Sequence, residues 1–337
     1  MVTGSRGHIR RLWAILWLAG WALAADPSQA GKLFVSLSEQ LGQAKDFVGA
    51  LAAAVVTAPN AKVPMGAKDD HPPEELRKKR VDKQLRIELG TPPFSMSVWL
   101  IGPPAEKSKG TLFLLPGICS YKECLAGRAR SYAKAGFRSV LVDFRGQGRS
   151  GGKFMTYGAR EAQDLRALLD ELLKRGEARS PVGVYGMSYG GACAIQFAGI
   201  DPRVKAVVAR SAFSSIREVV PSYARLYLPF MRGILTEAVL TRVVDRAGQL
   251  ARFDPDQANT LAAIQKTKAP VLLIHGERDI NIPIAQAEEL HRAAQDHCRL
   301  IRVPDGTHEG AALRRVENAE ILKWFQAHLP ADPDARD

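Results

Sequence analysis

The stretch that decides the fold reads Pro181-Val-Gly-Val-Tyr-Gly-Met-Ser-Tyr-Gly-Gly-Ala-Cys-Ala-Ile-Gln-Phe-Ala-Gly199. Its apolar run 182–185 predicts a short buried strand, and the small and apolar residues after the turn predict a helix. Between them lies the Gly-x-Ser-x-Gly pentapeptide 186–190. A strand, a tight turn and a helix in this order hold the serine in a strained conformation that exposes its hydroxyl, while the glycines leave room for neighbouring backbone. Ser188 is therefore the candidate nucleophile.

Two later loops supply the groups that a serine nucleophile requires. A hydroxyl attacks efficiently only when a base takes its proton, and the base needs an acid that orients it and stabilises its cation. One apolar run leads through a short turn to Asp279, and the next is followed by a loop that carries His308. We therefore predict that Asp279 orients His308 and that His308 activates Ser188. Glu277 and Asp305 are rival acids in the same loops.

Several separate motifs have counterparts in one family. The order Ser188, Asp279, His308 is the order of nucleophile, acid and base in α/β-hydrolases. From about Val81 to Leu329 the chain resembles serine hydrolases of that superfamily, in the group of esterase-like and peptidase-like members. Besides the serine turn, the motifs that carry the resemblance are Val142-Asp-Phe-Arg-Gly-Gln-Gly-Arg-Ser150, Asp201-Pro-Arg-Val-Lys-Ala206, Ile274-His-Gly-Glu-Arg-Asp279 and Gly306-Thr-His308.

Acyl transfer also needs donors that face the oxyanion of the transition state. Tyr189 follows the nucleophile and supplies one backbone N–H. The resemblance implies that the second donor comes from the loop after the third strand, where many family members have His-Gly and this chain has Pro116-Gly-Ile-Cys119. Backbone donors do not need the histidine, so we assign the Ile118 N–H, with Cys119 as the alternative.

The pattern of the main domain predicts an α/β fold over 81–330. Two runs, 85–89 and 96–101, flank Gly-Thr-Pro-Pro and predict a hairpin. After it, short apolar runs alternate with helical patterns, which predicts a mainly parallel central sheet with helices on both faces, the α/β-hydrolase fold. A helical insertion at about 212–268 interrupts the alternation. We interpret it as a lid over the active site, and helices stacked on the sheet edge are the alternative.

The first 80 residues fall into two parts. Residues 1–25 have the basic start, apolar stretch and small-residue exit of a signal peptide. The uncharged run 12–25 is short of the about 20 residues that a membrane-crossing helix needs. We therefore expect cleavage and export, to the periplasm or the medium, and an uncleaved anchor, the only expected membrane contact, is the alternative. Residues 26–80 predict an amphipathic helix, with apolar positions from Phe34 to Val55, and then a surface linker.

Charge and composition exclude several classes of function. The formal net charge is +12, but no basic tract with interleaved aromatic residues is present, so no nucleic-acid partner is expected. The histidines show no metal-binding spacing and no phosphate-cradling glycine loop occurs, so we predict neither a metal nor another cofactor. The sequence does not specify an oligomeric state. His275 and Asp143 are interpreted as structural residues. The four cysteines permit a local Cys119–Cys124 disulfide in an exported protein.

These observations predict an exported serine hydrolase that cleaves carboxylic ester bonds of a small-molecule substrate through an acyl-enzyme. The apolar insertion favours a hydrophobic acyl or aromatic ester over a polar peptide. The alternatives are an acyltransferase or a serine exopeptidase with the same mechanism, or a catalytically silent binding module.

Overall fold

A computed structural model describes residues 47–57, 81–118 and 120–329, and its centre is an eight-stranded sheet. The strand order is β1-β2-β4-β3-β5-β6-β7-β8. Only β2 runs antiparallel to its neighbours, and all the other pairs are parallel. The strands are β1 Lys83–Leu89, β2 Phe94–Ile101, β3 Thr111–Leu115, β4 Arg138–Val142, β5 Val182–Met187, β6 Val204–Arg210, β7 Val271–Gly276 and β8 Cys298–Val303.

Helices cover both faces of this sheet. One apolar core lies between the sheet and α3, α4, α7 and α8, and a second lies between the opposite face and α2 and α9. The α-helices of the described ranges are α1 Phe47–Val56, α2 Ala126–Lys134, α3 Glu161–Lys174, α4 Tyr189–Ile200, α5 Ile216–Tyr227, α6 Glu237–Ala251, α7 Thr260–Lys266, α8 Ile284–Arg292 and α9 Ala311–His328. The predicted α/β-hydrolase fold class and the hairpin β1–β2 are confirmed.

Helix α9 is one of two helices that the apolar pattern did not predict; α8 is the other. The buried positions of α9 are Leu313, Glu317, Ile321 and Phe325, each four residues after the one before. A glutamate stands in the second of them, so the hydrophobic periodicity is interrupted where a helix on a sheet needs an apolar stripe. Glu317, the charge that interrupts the apolar pattern of α9, is itself fully buried.

The insertion between β6 and β7 is helical, and its helices divide between two locations. Helix α7 packs on α4 and belongs to the main domain. Helices α1 and α6 pack together in a separate apolar cluster, and α5 contacts α6 while its own buried residues Ile216, Val219 and Val220 belong to the first core. We call α1, α5 and α6 the roof. Two large apolar side chains of the insertion, Phe230 and Ile234, are exposed.

Helix α1 joins the roof to the main domain. Val56 accepts a hydrogen bond from the Met155 amide (2.9 Å), and Val55 accepts one from the Tyr157 hydroxyl (2.9 Å). These bonds hold the end of α1 against the loop that leads into α3. The predicted N-terminal helix is thus described only from Phe47 onwards. The predicted signal peptide, the rest of that helix and the linker lie outside the described residues.

Two remaining expectations concern the membrane and the cysteines. None of the helices in the described ranges combines the length and apolar character that crossing a bilayer requires. Cys124 is a free, exposed thiol, so the suggested bridge to Cys119 is not formed, and Cys119 itself lies outside the described residues. Cys193 is fully buried against the sheet, as expected of a small apolar side chain.

Candidate active site

The serine turn has the strained geometry that its sequence predicts. Ser188 lies between β5 and α4 with φ = +54°, in the region that side chains other than glycine rarely adopt. Its amide donates to the Arg210 carbonyl on β6 (2.7 Å). A Cβ atom on Gly186 would collide with the carbonyl of Gly190, and one on Gly190 would collide with that of Pro116. The glycines are therefore required by close backbone approach, and they keep the serine at the end of the strand.

The structure brings Ser188, His308 and Asp279 together at the carboxyl edge of the sheet. The Nε2 atom of His308 lies 3.1 Å from the Ser188 Oγ, and its Nδ1 lies 2.7 Å from the Asp279 Oδ2. The other Asp279 oxygen accepts hydrogen bonds from the amides of Asn281 (3.0 Å) and Ile282 (2.9 Å). The carboxylate is thus held from both sides, and the three groups form one continuous hydrogen-bonded chain.

The surroundings of Asp279 favour its ionised form. Burial opposes the charge, but the hydrogen bond and the charge of His308 and the amide of Ile282 outweigh it, so the pKa of Asp279 is lowered. Because an ionised carboxylate only accepts hydrogen bonds, the Nδ1 of His308 carries the proton that it donates to Asp279. The Nε2 is then free to accept the proton of Ser188.

The other candidate acids and the second histidine have different surroundings. Glu277 pairs with Arg302, and Asp305 is exposed and pairs with Arg278. The Nε2–H of His275 donates to the Ile282 carbonyl (2.8 Å), and burial lowers its pKa. None of the three therefore takes the position that Asp279 or His308 holds.

Asp143 is buried in a network of hydrogen bonds that connects two loops. Its carboxylate accepts hydrogen bonds from the Lys122 amide (3.0 Å), the Lys122 ammonium (2.5 Å) and the Arg149 amide (3.0 Å), and all of its surface is buried. These bonds tie the loop after β4 to the turn that precedes α2.

Two backbone amides beside the nucleophile are available to an oxyanion. Within the described residues, the N–H groups of Ile118 and Tyr189 have no protein acceptor. Tyr189 is the first residue of α4, where amides lack intrahelical partners and the helix dipole favours negative charge. The turn that carries Ile118 adjoins the nucleophile, because a Cβ on Gly117 would lie 3.7 Å from that of Ser188. Cys119, the alternative donor, lies outside the described residues.

A cavity of about 1310 Å³ is lined by Ser188, His308 and Ile118, and its other lining residues fall into two groups of different chemistry, which we call the apolar arm and the polar arm. The apolar arm is lined by the roof, and the polar arm lies between α2 and α9. The principal residues of the apolar arm are Leu51, Ala54, Val220, Tyr223, Leu240 and Val243. Those of the polar arm are Arg128, Tyr132, Tyr185, Arg210, Arg314 and Glu317.

Sequence reasoning missed most of these lining residues. Leu51 and Ala54 belong to α1, which precedes the hydrolase domain. Tyr223 of the insertion lines the same cavity as Ser188, and burial raises its pKa above the usual range. In the sequence, Glu317 falls between Leu313 and Ile321 at four-residue spacing, and this spacing was the available signal for a buried charge on α9. In the described ranges, no three His, Cys, Asp or Glu side chains are grouped so that they could hold a metal ion.

Part of the chain is similar to known proteins. Residues 106–257 match the family model of the serine aminopeptidases, S33. An uncharacterized peptidase of Bacillus subtilis, YuxL, is 25% identical over 257 residues, 68% of this chain and 37% of that protein. The uncharacterized protein YqkD of the same organism is 28% identical over 51% of this chain and 56% of its own length. The chain thus spans between about one third and three fifths of these relatives.

Solved structures share the fold at low identity. An esterase of Pyrococcus furiosus has a TM-score of 0.58 at 21% identity and covers 78% of this chain and 96% of its own. An acylaminoacyl peptidase of Pyrococcus horikoshii has a TM-score of 0.56 at 19% identity, and the match covers 78% of this chain and 44% of the peptidase chain. The sheet topology and these structures show the α/β-hydrolase fold, and the match over residues 106–257 is consistent with a serine hydrolase of that fold. These findings support a serine hydrolase of the esterase or peptidase type.

Proposed function

We propose that the protein is a carboxylic ester hydrolase that works through an acyl-enzyme on Ser188. The observation that carries the proposal is the hydrogen-bonded chain from Asp279 through His308 to Ser188, with distances of 2.7 and 3.1 Å. Serine hydrolysis requires this chain and a pair of donors for the oxyanion. No cofactor takes part in this mechanism.

In the first half-reaction, the Oγ of Ser188 attacks the ester carbonyl while its proton passes to the Nε2 of His308. Asp279 stabilises the imidazolium that forms, and the amides of Ile118 and Tyr189 donate to the oxyanion. The tetrahedral intermediate collapses with cleavage of the bond to the alcohol, which leaves with the proton from His308. Water, deprotonated by His308, then attacks the acyl-enzyme; the bond to Ser188 breaks, the acid is released, and His308 returns the proton to the Ser188 Oγ.

The apolar arm supports an acyl group without charge. Leu51, Leu240 and Val243 would be in contact with the substrate, and an apolar chain gains about 0.8 kcal/mol for each CH₂ that it buries. A charged acyl group would lose its hydration there without a compensating ion pair. We therefore expect esters of medium or long aliphatic acids to be the better substrates.

The decisive experiment is a hydrolysis screen with 4-nitrophenyl esters of two to sixteen acyl carbons, run with the wild type and Ser188→Ala. We expect kcat/KM to fall by about 10⁴-fold or more, because the variant lacks the nucleophile. Ser222→Ala is the matched control, since that serine on α5 does not line the cavity; its hydroxyl donates to the Glu218 carbonyl (2.8 Å) and accepts from Gln286 (3.4 Å). Activity that survives in Ser188→Ala would contradict the proposal. Failure of a fluorophosphonate to label the wild type would indicate a silent binding module.

A serine exopeptidase is the second candidate, supported by the match to the serine aminopeptidase model. It would use the same groups, with an amine in place of the alcohol as leaving group. Aminoacyl and acylaminoacyl anilides tested beside the esters decide between the two. A higher kcat/KM for an anilide than for every ester would favour the peptidase.

We also infer that the protein is exported, from the basic and apolar pattern of residues 1–25. The expected mature protein begins within a few residues of Ala25 and lies outside the cytoplasm. Mass spectrometry of the protein from cell fractions tests this. A full-length chain in the membrane fraction would indicate an uncleaved anchor.

A further inference from the structure

Two helices face each other across the polar arm with polar residues at helical spacing. Helix α2 contributes Arg128 and Tyr132, and α9 contributes Arg314 and Glu317. The floor between them is formed by the strands, where Arg210 is almost fully buried. This arrangement is open to the same cavity as Ser188, yet the proposed mechanism uses none of these residues.

The charges of the polar arm are not balanced. Glu317 is buried, and its oxygens accept from the Tyr185 hydroxyl (2.6 Å) and from the Nη1 of Arg210 (3.0 Å). Arg128 forms a longer ion pair with the same carboxylate, its nearest nitrogen lying 3.6 Å from Glu317 and beyond hydrogen-bonding distance. Arg210 therefore already satisfies the buried carboxylate, and Arg128 adds a second positive charge beside it.

The remaining charges leave an excess of cations. Arg314 donates to the backbone carbonyl of Glu309 and is largely exposed. The Glu309 carboxylate is 62% exposed and faces Arg210 at 3.2 Å. The arm thus contains three arginines, Arg128, Arg210 and Arg314, and two carboxylates, Glu309 and Glu317, which is a formal excess of one positive charge.

Arg128 is held in a position that suits an anionic ligand. Its guanidinium lies over the ring of Tyr185, 4.8 Å from the centroid, and its side chain is 17% exposed. Stacking fixes the plane of the guanidinium, and a fixed guanidinium can donate two parallel hydrogen bonds to a carboxylate. Such pairs discriminate strongly between charged and neutral groups.

The polar arm adjoins the loop that carries the catalytic base. The Nη2 of Arg210 donates to the backbone carbonyl of His308 (3.0 Å). The oxygen that leaves must accept its proton from the Nε2 of His308, and the alcohol part of the substrate is therefore directed to this side.

We propose that the polar arm binds a carboxylate on the leaving group, with Arg128 and Arg314 as the residues that recognise it. The substrates are then esters that join an apolar acyl chain, held by the roof, to an anionic alcohol. This assignment of the substrate class rests on the proposed ester hydrolysis. The existence of a carboxylate site between α2 and α9 does not depend on ester hydrolysis.

The kinetic test compares the hexanoyl esters of 3-hydroxybenzoate and 3-hydroxybenzamide, which differ in charge at one group. We expect the wild type to prefer the anionic ester, and Arg128→Gln and Arg314→Gln to reduce the ratio of kcat/KM between the two esters about tenfold each, chiefly through KM. Arg130→Gln and Arg315→Gln are matched controls, because they remove the same charge from the same helices at exposed positions outside the cavity. Arg314→Gln changes no buried contact, so it tests the site even if Arg128→Gln folds poorly.

A binding measurement separates this inference from the proposed function. Calorimetry with Ser188→Ala should detect 3-hydroxybenzoate and not 3-hydroxybenzamide, and Arg314→Gln in the same background should weaken the binding about tenfold. Selective binding without ester turnover would uphold the carboxylate site and refute the esterase. Turnover of both esters with a ratio that Arg128→Gln and Arg314→Gln leave unchanged would overturn the carboxylate site and leave the esterase standing.

Discussion

The hydrogen-bonded centre and the roof meet at Ser188, but they are held by different forces. Ser188, Asp279 and His308 follow three parallel strands whose ladders fix the distances between them. The roof consists of helices from distant parts of the chain, joined mainly by apolar packing and by a few hydrogen bonds from α1. The comparison indicates that the chemistry is anchored in the sheet, whereas the choice of acyl group is anchored in the packing of helices.

The largest effect is expected at the centre. Asp279→Asn should lower kcat by about 10³ to 10⁴-fold, because a neutral amide neither holds the proton on the Nδ1 of His308 nor stabilises the imidazolium. Steady-state kinetics on the best ester measures this. Asp305→Asn, which removes an exposed carboxylate paired with Arg278, is the control. A loss of less than tenfold in Asp279→Asn would show that the centre does not depend on the buried carboxylate.

An intermediate effect is expected in the roof, and it should change selectivity and leave the chemistry intact. Ala54→Leu narrows the apolar arm and should lower kcat/KM for esters of twelve or more carbons about tenfold, with little effect on butyrate esters. Leu51→Ala should shift the preferred chain length upwards. The chain-length profile of kcat/KM is the measurement.

Val48→Ala controls for loss of stability in the roof, because Val48 packs in the same cluster without lining the cavity. Equal losses for short and long esters in Ala54→Leu would show that α1 does not select the acyl chain.

The smallest effect is expected where the roof joins the main domain. Tyr157→Phe removes the hydrogen bond to the Val55 carbonyl (2.9 Å) and should lower the free energy of unfolding by about 1 kcal/mol. Urea denaturation measures this, and kcat on short esters should stay within about twofold. A decrease in kcat as large as that of Asp279→Asn would contradict the separation between roof and centre.

Most of the sheet and the order of its site residues were predictable because their signals are local. A buried strand is a short apolar run, and a parallel sheet brings the carboxyl ends of its strands to one edge. Identifying the strands before Ser188, Asp279 and His308 was therefore enough to predict that these loops meet. The glycine pattern of the serine turn added a local backbone constraint that few other structures require.

The polar arm shows why other parts could not be predicted in this way. Arg128 and Arg210 are separated by about a third of the domain, and neither stands in a recognisable motif. Their proximity follows from the way α2 and α9 pack on the same face of the sheet, around a glutamate that interrupts the apolar pattern of α9. The insertion was recognised as helical, but the contribution of α1 to its cavity was not, since side-chain contacts between distant helices leave no periodic signal.

By itself, the sequence determined the class of fold, the strained serine and the succession of nucleophile, acid and base, because strand, turn and glycine preferences act within a few residues. Only the tertiary structure decided which side chains surround that serine: an apolar wall from the N-terminal helix on one side and an excess of arginine on the other. Those neighbours are set by the fit of helices brought together from distant parts of the chain, and complementarity of that kind exists only in the folded molecule.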